Sequence, residues 1–195
     1  MARPGRDRLS GTVEVDEAYL GGLEEGVSGR PTESKSLIAI AAQEDGAGIG
    51  RIRMKRLPDA SAESRMAFLA ETVEPDGTIH TAGWSGYQST VSKGYSHRVT
   101  ILKAKPDPAS ELLPRVHRIA SLVKRWILGT HQGAISRDHL EFYLDEFTFR
   151  FNRRRSRNRG KLFYRLVQQA VVVDPVPYKA LVRCAAAATG PDHNP

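Results

Sequence analysis

Residues 12–57 carry three strand patterns in succession with no helical pattern between them, which sharply restricts the topologies open to the chain. Thr12–Leu20 (TVEVDEAYL) alternates Val13 and Val15 with Glu14 and Asp16, so it predicts a strand with one acidic face. Gly21 and Gly22 end it, and residues 23–35, polar and rich in Gly, Glu and Ser, read as a loop. Ser36–Gln43 (SLIAIAAQ) is a short apolar run that reads as a buried strand. After a turn at Gly46–Gly50, Arg51–Leu57 (RIRMKRL) alternates again. Three consecutive strands with short connections predict an antiparallel meander.

Pro58 closes the third strand, and Ser61 or Asp59 is placed to cap a helix whose apolar positions are Met66, Leu69, Ala70 and Val73. Thr78–Thr81 reads as a fourth strand, Gln88–Lys93 as a short helix and His97–Leu102 as a fifth strand. Lys103–Pro108 (KAKPDP) breaks the chain, and the sequence beyond it is mostly helical. This order predicts an α/β or α+β layered fold with a mixed sheet. It is also the order of the ribonuclease H-like fold, whose first strand carries a metal-binding carboxylate.

Two later helices have legible faces. Along Glu111–Leu128, Leu112, Val116, Ile119, Val123 and Trp126 form one apolar stripe. His117, Ser121 and Lys124 fall within about 60° of one another on nearly the opposite side. That face is either an ordinary solvated one or a place where an imidazole, a hydroxyl and an ammonium act together. Gly129-Thr130-His131 ends the helix, and Ser136 is placed to cap the next, over Arg137 to about Phe151. There Leu140, Tyr143, Leu144, Phe147 and Phe151 make a core-facing stripe, with Phe142 and Phe149 outside it.

Charge is concentrated. The chain carries 29 Lys and Arg against 22 Asp and Glu, for a net charge of +7. Arg150–Lys161 (RFNRRRSRNRGK) holds seven of those basic residues and no acid, which leaves 22 of each sign elsewhere. A neutral body with one focused cluster points to a polyanionic partner, nucleic acid first, because arginines neutralise phosphates and release counterions. A solvated arginine-rich loop is the alternative.

At 195 residues the chain fits one domain, or one domain with an appendage. No run approaches the roughly 18 apolar residues of a membrane span, and the basic start MARPGRDRLSG has no apolar stretch behind it. Cys184, the only cysteine, excludes an internal disulfide and a cysteine-based zinc ribbon, and reads as a plain small hydrophobe.

VEVDEAYLGG at 13–22, GWSGY at 83–87 and the block KRWILGTHQG with HLEFYLDEFTFRFNRR at 124–154 resemble a bacterial insertion-sequence transposase. The family in question joins an N-terminal zinc ribbon to a DDE-type, ribonuclease H-like catalytic domain. The resemblance implies an α/β fold, a ribonuclease H-like mixed sheet flanked by helices with a basic helical C-terminal part. It divides the chain into an N-terminal arm (1–11), the transposase domain (12–180, its helical basic part about 111–170) and a tail (181–195).

The family signature is Asp, Asp, a variable third residue that is Asn, Glu or His, and Lys. Asp16 matches the first Asp, His117 the third position and Lys124 the Lys. The second Asp belongs in a His-Thr-Asp-Gly-Trp-Ser-Gly-Tyr stretch that here reads HTAGWSGY, so Ala82 occupies its position. The resemblance implies Mg²⁺ in a two-metal site, with Asp16 and His117 as the remaining ligands. His80, two residues before Ala82, and Glu14, on the face of Asp16, are substitutes to weigh.

It further implies transposon-end and target DNA as partners, with Arg125, Arg150, Arg153, Arg154, Arg155, Arg157, Arg159 and Lys161 as DNA-binding residues. A homodimer is a further candidate partner, no membrane is involved, and the expected location is the cytoplasm, on the nucleoid when DNA-bound. Fifteen residues precede Asp16, too few for the zinc ribbon. Together with Ala82, that suggests a truncated copy with impaired DNA cleavage and strand transfer. The alternatives are a non-enzymatic DNA-binding or dimerising remnant, and a ribonuclease H-like nuclease.

Overall fold

The computed structural model describes residues 7–21, 35–82, 95–99, 112–132 and 135–179. The expected loop at 23–35 (apart from Lys35), the GWSGY stretch, the short helix at 88–93, the KAKPDP break, Cys184 and the tail lie outside the described residues.

Strand β1 (Thr12–Leu20), β2 (Ser36–Asp45) and β3 (Gly48–Arg56) form the antiparallel meander expected from their alternation. The β2–β3 turn is tight, and Gly46 takes φ +56°, a left-handed conformation that glycine adopts without steric penalty. β3 consequently starts at Gly48, three residues before the expected Arg51. Helix α1 (Ala62–Thr72) returns the chain to β4 (Thr78–Thr81), which pairs parallel to β1. β5 (Ser96–Val99) pairs parallel to β4. The five-stranded sheet has the order β3-β2-β1-β4-β5, a mixed arrangement compatible with the ribonuclease H-like fold.

Each face of the sheet has its own core. Val13, Val15, Ala39, Ala41 and Ile79 pack against Met66, Phe68 and Leu69 of α1. Phe68 is almost fully buried, although the expected stripe omitted it and included Ala70, which is exposed. Ser61 caps α1 by accepting from the Ser64 N–H (3.1 Å), while Asp59 accepts from the Ser61 N–H (2.9 Å), so both expected caps are used. Leu9 is buried on this side and tied to the end of α1, its N–H donating to the Thr72 carbonyl (2.8 Å).

The opposite face carries Leu20, Ile38, Ile40, Ile52 and Met54 beneath two helices, α2 (Pro114–His131) and α3 (Leu140–Asn152). In α2 the core positions are Val116, Ile119, Val123 and Ile127, with Leu113 just ahead of the helix. Leu112 and Trp126, assigned to the stripe from periodicity, are half-buried instead. Leu112 falls ahead of the helix because Pro114 takes its first position, and Trp126 packs against the margin of the same core. Residues Arg137–His139 form a 3₁₀ turn before α3 rather than its first turn. Helix α4 (Arg159–Ala170) follows.

α3 also protects the free edge of β3. The Asn152 side chain accepts from the Ile52 N–H (2.7 Å) and donates to the Ile52 carbonyl (3.0 Å), as a neighbouring strand would.

Candidate functional site

The acidic face of β1 meets the start of α2. Leu113 precedes this helix and offers no side-chain cap, so the first N–H groups need partners from elsewhere. Glu14 supplies them. Wholly buried, it accepts from the N–H of Arg115 (2.7 Å) and of Val116 (3.0 Å), and its other oxygen accepts from the Arg115 guanidinium (2.8 Å). A carboxylate at the positive end of the helix is favourable in its own right. Arg115 also donates to the carbonyls of Gly48 (2.9 Å) and Gly46 (2.7 Å) and lies 3.4 Å from Glu44. The start of α2 is thereby clamped to β1 and to the β2–β3 turn.

Two residues further along the same face comes Asp16, and two residues further along α2 comes His117. Their side chains are each 32% exposed, and His117 Nε2 lies 3.8 Å from Asp16 Oδ2. That separation is too long for a hydrogen bond. Nε2 itself is enclosed and has no hydrogen-bond partner among the described residues. Burial pushes the Asp16 carboxyl above its ordinary value, and the Glu17 charge acts in the same direction. The Glu17 backbone N–H and the attraction of His117 oppose the shift without cancelling it. Asp16 is therefore a desolvated carboxylate beside an unsatisfied imidazole nitrogen.

Ala82, just past the end of β4, packs with Ala18 of β1 against the core under α2 and α3, on the face that carries Asp16. His80, two residues earlier, is buried and lies 3.8 Å from Glu44, with its pKa lowered by burial and by Arg98 despite Glu14 and Glu44. Donor atoms of Glu14, Glu44 and His80 all fall within 4.8 Å of one another. Arg115 already supplies a cation to both carboxylates there, so this cluster is an ionic network that fixes α2. Glu14, weighed from the sequence as a substitute ligand, is a buried anchor of α2 in this structure.

Mg²⁺ takes an octahedron of oxygen ligands and is bound through carboxylates and water. Asp16 offers one carboxylate, His117 a softer nitrogen and Ala82 a methyl group. That donor set does not fit a pair of Mg²⁺ ions.

Lys124 is exposed on α2, two turns or about 10 Å beyond His117, and Arg125 is exposed beside it. Ser121 does not join them, because its hydroxyl donates to the His117 carbonyl (2.9 Å). The basic cluster divides. Arg154, though exposed, folds back onto the sheet edge, donating to the carbonyls of Ile49, Gly50 and Phe151, with its guanidinium 3.8 Å above the Phe151 ring. Arg155 pairs with Asp45 (2.9 Å), Arg150 with Glu146 (2.6 Å), and Arg153 stacks on Phe149 at 3.9 Å. Arg157 and Lys161 are exposed, and the Arg159 side chain lies outside the described residues.

Sequence reasoning missed Arg115 and Asn152. The only hint of Arg115 was Glu14, one of three acids in the strand but the one set between Val13 and Val15, which would need a partner if buried. No comparable signal marks Asn152, whose role depends on where α3 lies along β3.

Two comparisons with known proteins bear on these observations. A search of curated proteins returns no match. The ISXO2-like transposase domain matches residues 8–152, a span from the buried Leu9 through the strand of Asp16 and the helix of His117 to the edge-pairing Asn152. DDE-type transposases generally use divalent metal ions and act on DNA. With that match covering most of its length, the chain belongs to the ISXO2-like transposase domain family.

Proposed function

We propose that this chain is an insertion-sequence transposase domain that binds transposon-end and target DNA, and whose strand cleavage and transfer are strongly weakened by Ala82. The observation that carries the reading is the meeting of one desolvated carboxylate, Asp16, with the Nε2 of His117 on the face where Ala82 brings only a methyl group. Two-ion phosphoryl transfer needs an oxygen-rich centre to hold two hard cations close together. Asp16 and His117 are the residues that would hold a divalent ion, with Mg²⁺ held weakly and Mn²⁺, more tolerant of imidazole, held better. Lys124 would contact a phosphate near the reacting bond, so its loss would lower the rate more than the affinity. Arg125 and the outward members of the 150–161 cluster would hold the flanking DNA.

The domain would span 12–180, with an arm at 1–11, of which Leu9 is buried, and a tail at 181–195. Among the described residues no helix is long and apolar enough to cross a membrane. As a DNA-acting transposase domain the protein would work in the cytoplasm, on the nucleoid when DNA-bound.

The test compares the chain with Ala82→Asp on end-containing DNA, alongside calorimetric titration of Mg²⁺ and Mn²⁺ into each protein. The expected result is little cleavage by the chain, and both tighter metal binding and recovered cleavage by the variant. Robust Mg²⁺-dependent cleavage by the chain itself would overturn the reading. Tighter metal binding without cleavage would favour the second reading, a non-enzymatic DNA-binding or dimerising protein, for which the exposed Phe163, Tyr164 and Val167 on α4 are the supporting feature.

A further inference from the structure

A cavity of about 330 Å³ opens at the β3 edge of the sheet, two strands from β1, between β3, α3 and α4. Four arginines from three stretches of chain line it: Arg51 and Arg53 from β3, Arg153 after α3, and Arg165 from α4. Two carboxylates also reach it. Asp7 lies 3.6 Å from Arg51, and Asp145 lines the wall from α3, so the arginines remain in excess.

Two of the guanidiniums are held in place before any ligand arrives. Arg53 is only 5% exposed and donates to the carbonyls of Ile52 (2.9 Å) and Asp7 (2.7 Å). Arg153 is stacked on Phe149, another residue of the wall.

Thr148 gives the cavity its chemical direction. It lines the wall at 4% exposure, and its Oγ1 has no hydrogen-bond partner among the described residues. A helical threonine can turn its hydroxyl back to the carbonyl four residues earlier, as Thr72 does to Phe68 here (2.7 Å). Thr148 makes no such bond. A buried hydroxyl left unpaired is unfavourable, whereas one facing an anion donates a charge-assisted bond.

We propose that this cavity is a phosphate-binding site, distinct from the Asp16–His117 site, and that it takes a phosphate of a nucleic-acid backbone. Phosphate is acceptor-only, and guanidiniums grip it through paired N–H donors. The volume is at the lower end of the roughly 300–1,000 Å³ typical of small-ligand sites, which suits a phosphate carried on a sugar. Nucleic acid is favoured over a free anion because two of the lining arginines, Arg153 and Arg165, belong to a segment with no acidic residue from Arg150 through Val173. Within that segment Arg157 and Lys161 are exposed, as are Phe163 and Tyr164. The proposal does not rest on the reading of Asp16 and His117, since its test involves no cleavage.

The test uses the full chain with Thr148→Val and Arg165→Gln, singly and together. Inorganic phosphate binding is followed by calorimetry and thermal shift, and binding of a short duplex of unrelated sequence by fluorescence anisotropy. Each substitution is expected to weaken phosphate about tenfold, the factor for one charge-assisted hydrogen bond. Duplex affinity should fall in parallel, and its salt slope should drop by about one for Arg165→Gln. Without phosphate, Thr148→Val should melt at the wild-type temperature or above. Phosphate binding lost with duplex affinity unchanged would identify a free anion or nucleotide as the ligand, overturning the nucleic-acid assignment. Unchanged phosphate binding in the double variant would overturn the site, as would a Thr148→Val protein that melts lower without phosphate and still binds it normally.

Discussion

Glu14 and Asp16 are the same kind of group, two residues apart on one face of one strand, facing one helix, and their surroundings differ completely. Glu14 is sealed from water and receives three hydrogen bonds, one of them from a guanidinium. Asp16 is partly open, faces an imidazole nitrogen at 3.8 Å and has its pKa raised by burial. A carboxylate whose acceptors are filled holds the fold together. One that is desolvated and left wanting is available for a cation, and only that one fits chemistry.

The strongest way to break this contrast is to remove the satisfied acid. Glu14→Ala leaves the Arg115 guanidinium without its closest carboxylate and two α2 N–H groups unpaired. The expected loss is about 3–5 kcal/mol, or a fall in melting temperature on the order of 10 °C. Glu14→Gln keeps an acceptor for the helix and should lose less. If Glu14→Ala melts like the wild type, the clamp is not what holds α2 in register over Asp16.

A second carboxylate beside Asp16 sharpens the comparison from the other side. Ala82→Asp should place two like charges in one partly desolvated site, destabilising the metal-free protein by about 1–3 kcal/mol and raising the Asp16 pKa further. Mn²⁺ should restore the melting temperature in the variant far more than in the parent chain. A variant whose stability is indifferent to divalent ions would place the introduced acid away from Asp16.

A smaller effect, opposite in sign to that at Glu14, is expected at Asp16. Its raised pKa means that the ionised form is disfavoured by folding. The resulting penalty is fully present above the folded-state pKa, shrinks as pH falls through that value, and vanishes below the unfolded value near 3.9. Asp16→Asn should therefore melt slightly higher than the parent near neutral pH, by on the order of 1–3 °C, with the gap closing toward pH 4. Thermal melts across that range would show it, and a variant less stable at neutral pH would refute the desolvation argument.

The two acids also show how much could be read from the chain alone. Alternation in TVEVDEAYL placed both carboxylates on one face, and the run of strand patterns fixed the meander, because a period of two is a local property. The i, i+7 relation of His117 and Lys124 likewise needed only helix geometry. Which acid would be sealed was not legible, since that depends on Pro114 setting the start of α2 and on Arg115 reaching two carbonyls in the β2–β3 turn. The arginine cluster was legible as charge and not as structure: nothing local reveals that Arg154 would turn back onto the carbonyls of β3.

The same division between engaged and available groups runs through that cluster, and it supports the smallest expected change in stability. Arg154 lies against its own Phe151 ring and the β3 carbonyls, and Arg155 against Asp45, so part of the charge is committed to closing the sheet edge. Arg157 and Lys161 are exposed and carry no such duty. Replacing both by glutamine should change stability by no more than about 0.5 kcal/mol. It should weaken binding of every DNA sequence alike and lower the salt slope by about one unit for each phosphate no longer neutralised. Arg154→Gln should do the reverse, lowering the melting temperature with a lesser effect on the slope. Equal slopes for the two proteins would mean that Arg154 still reaches DNA, and that its hydrogen bonds to β3 give way when a phosphate is present.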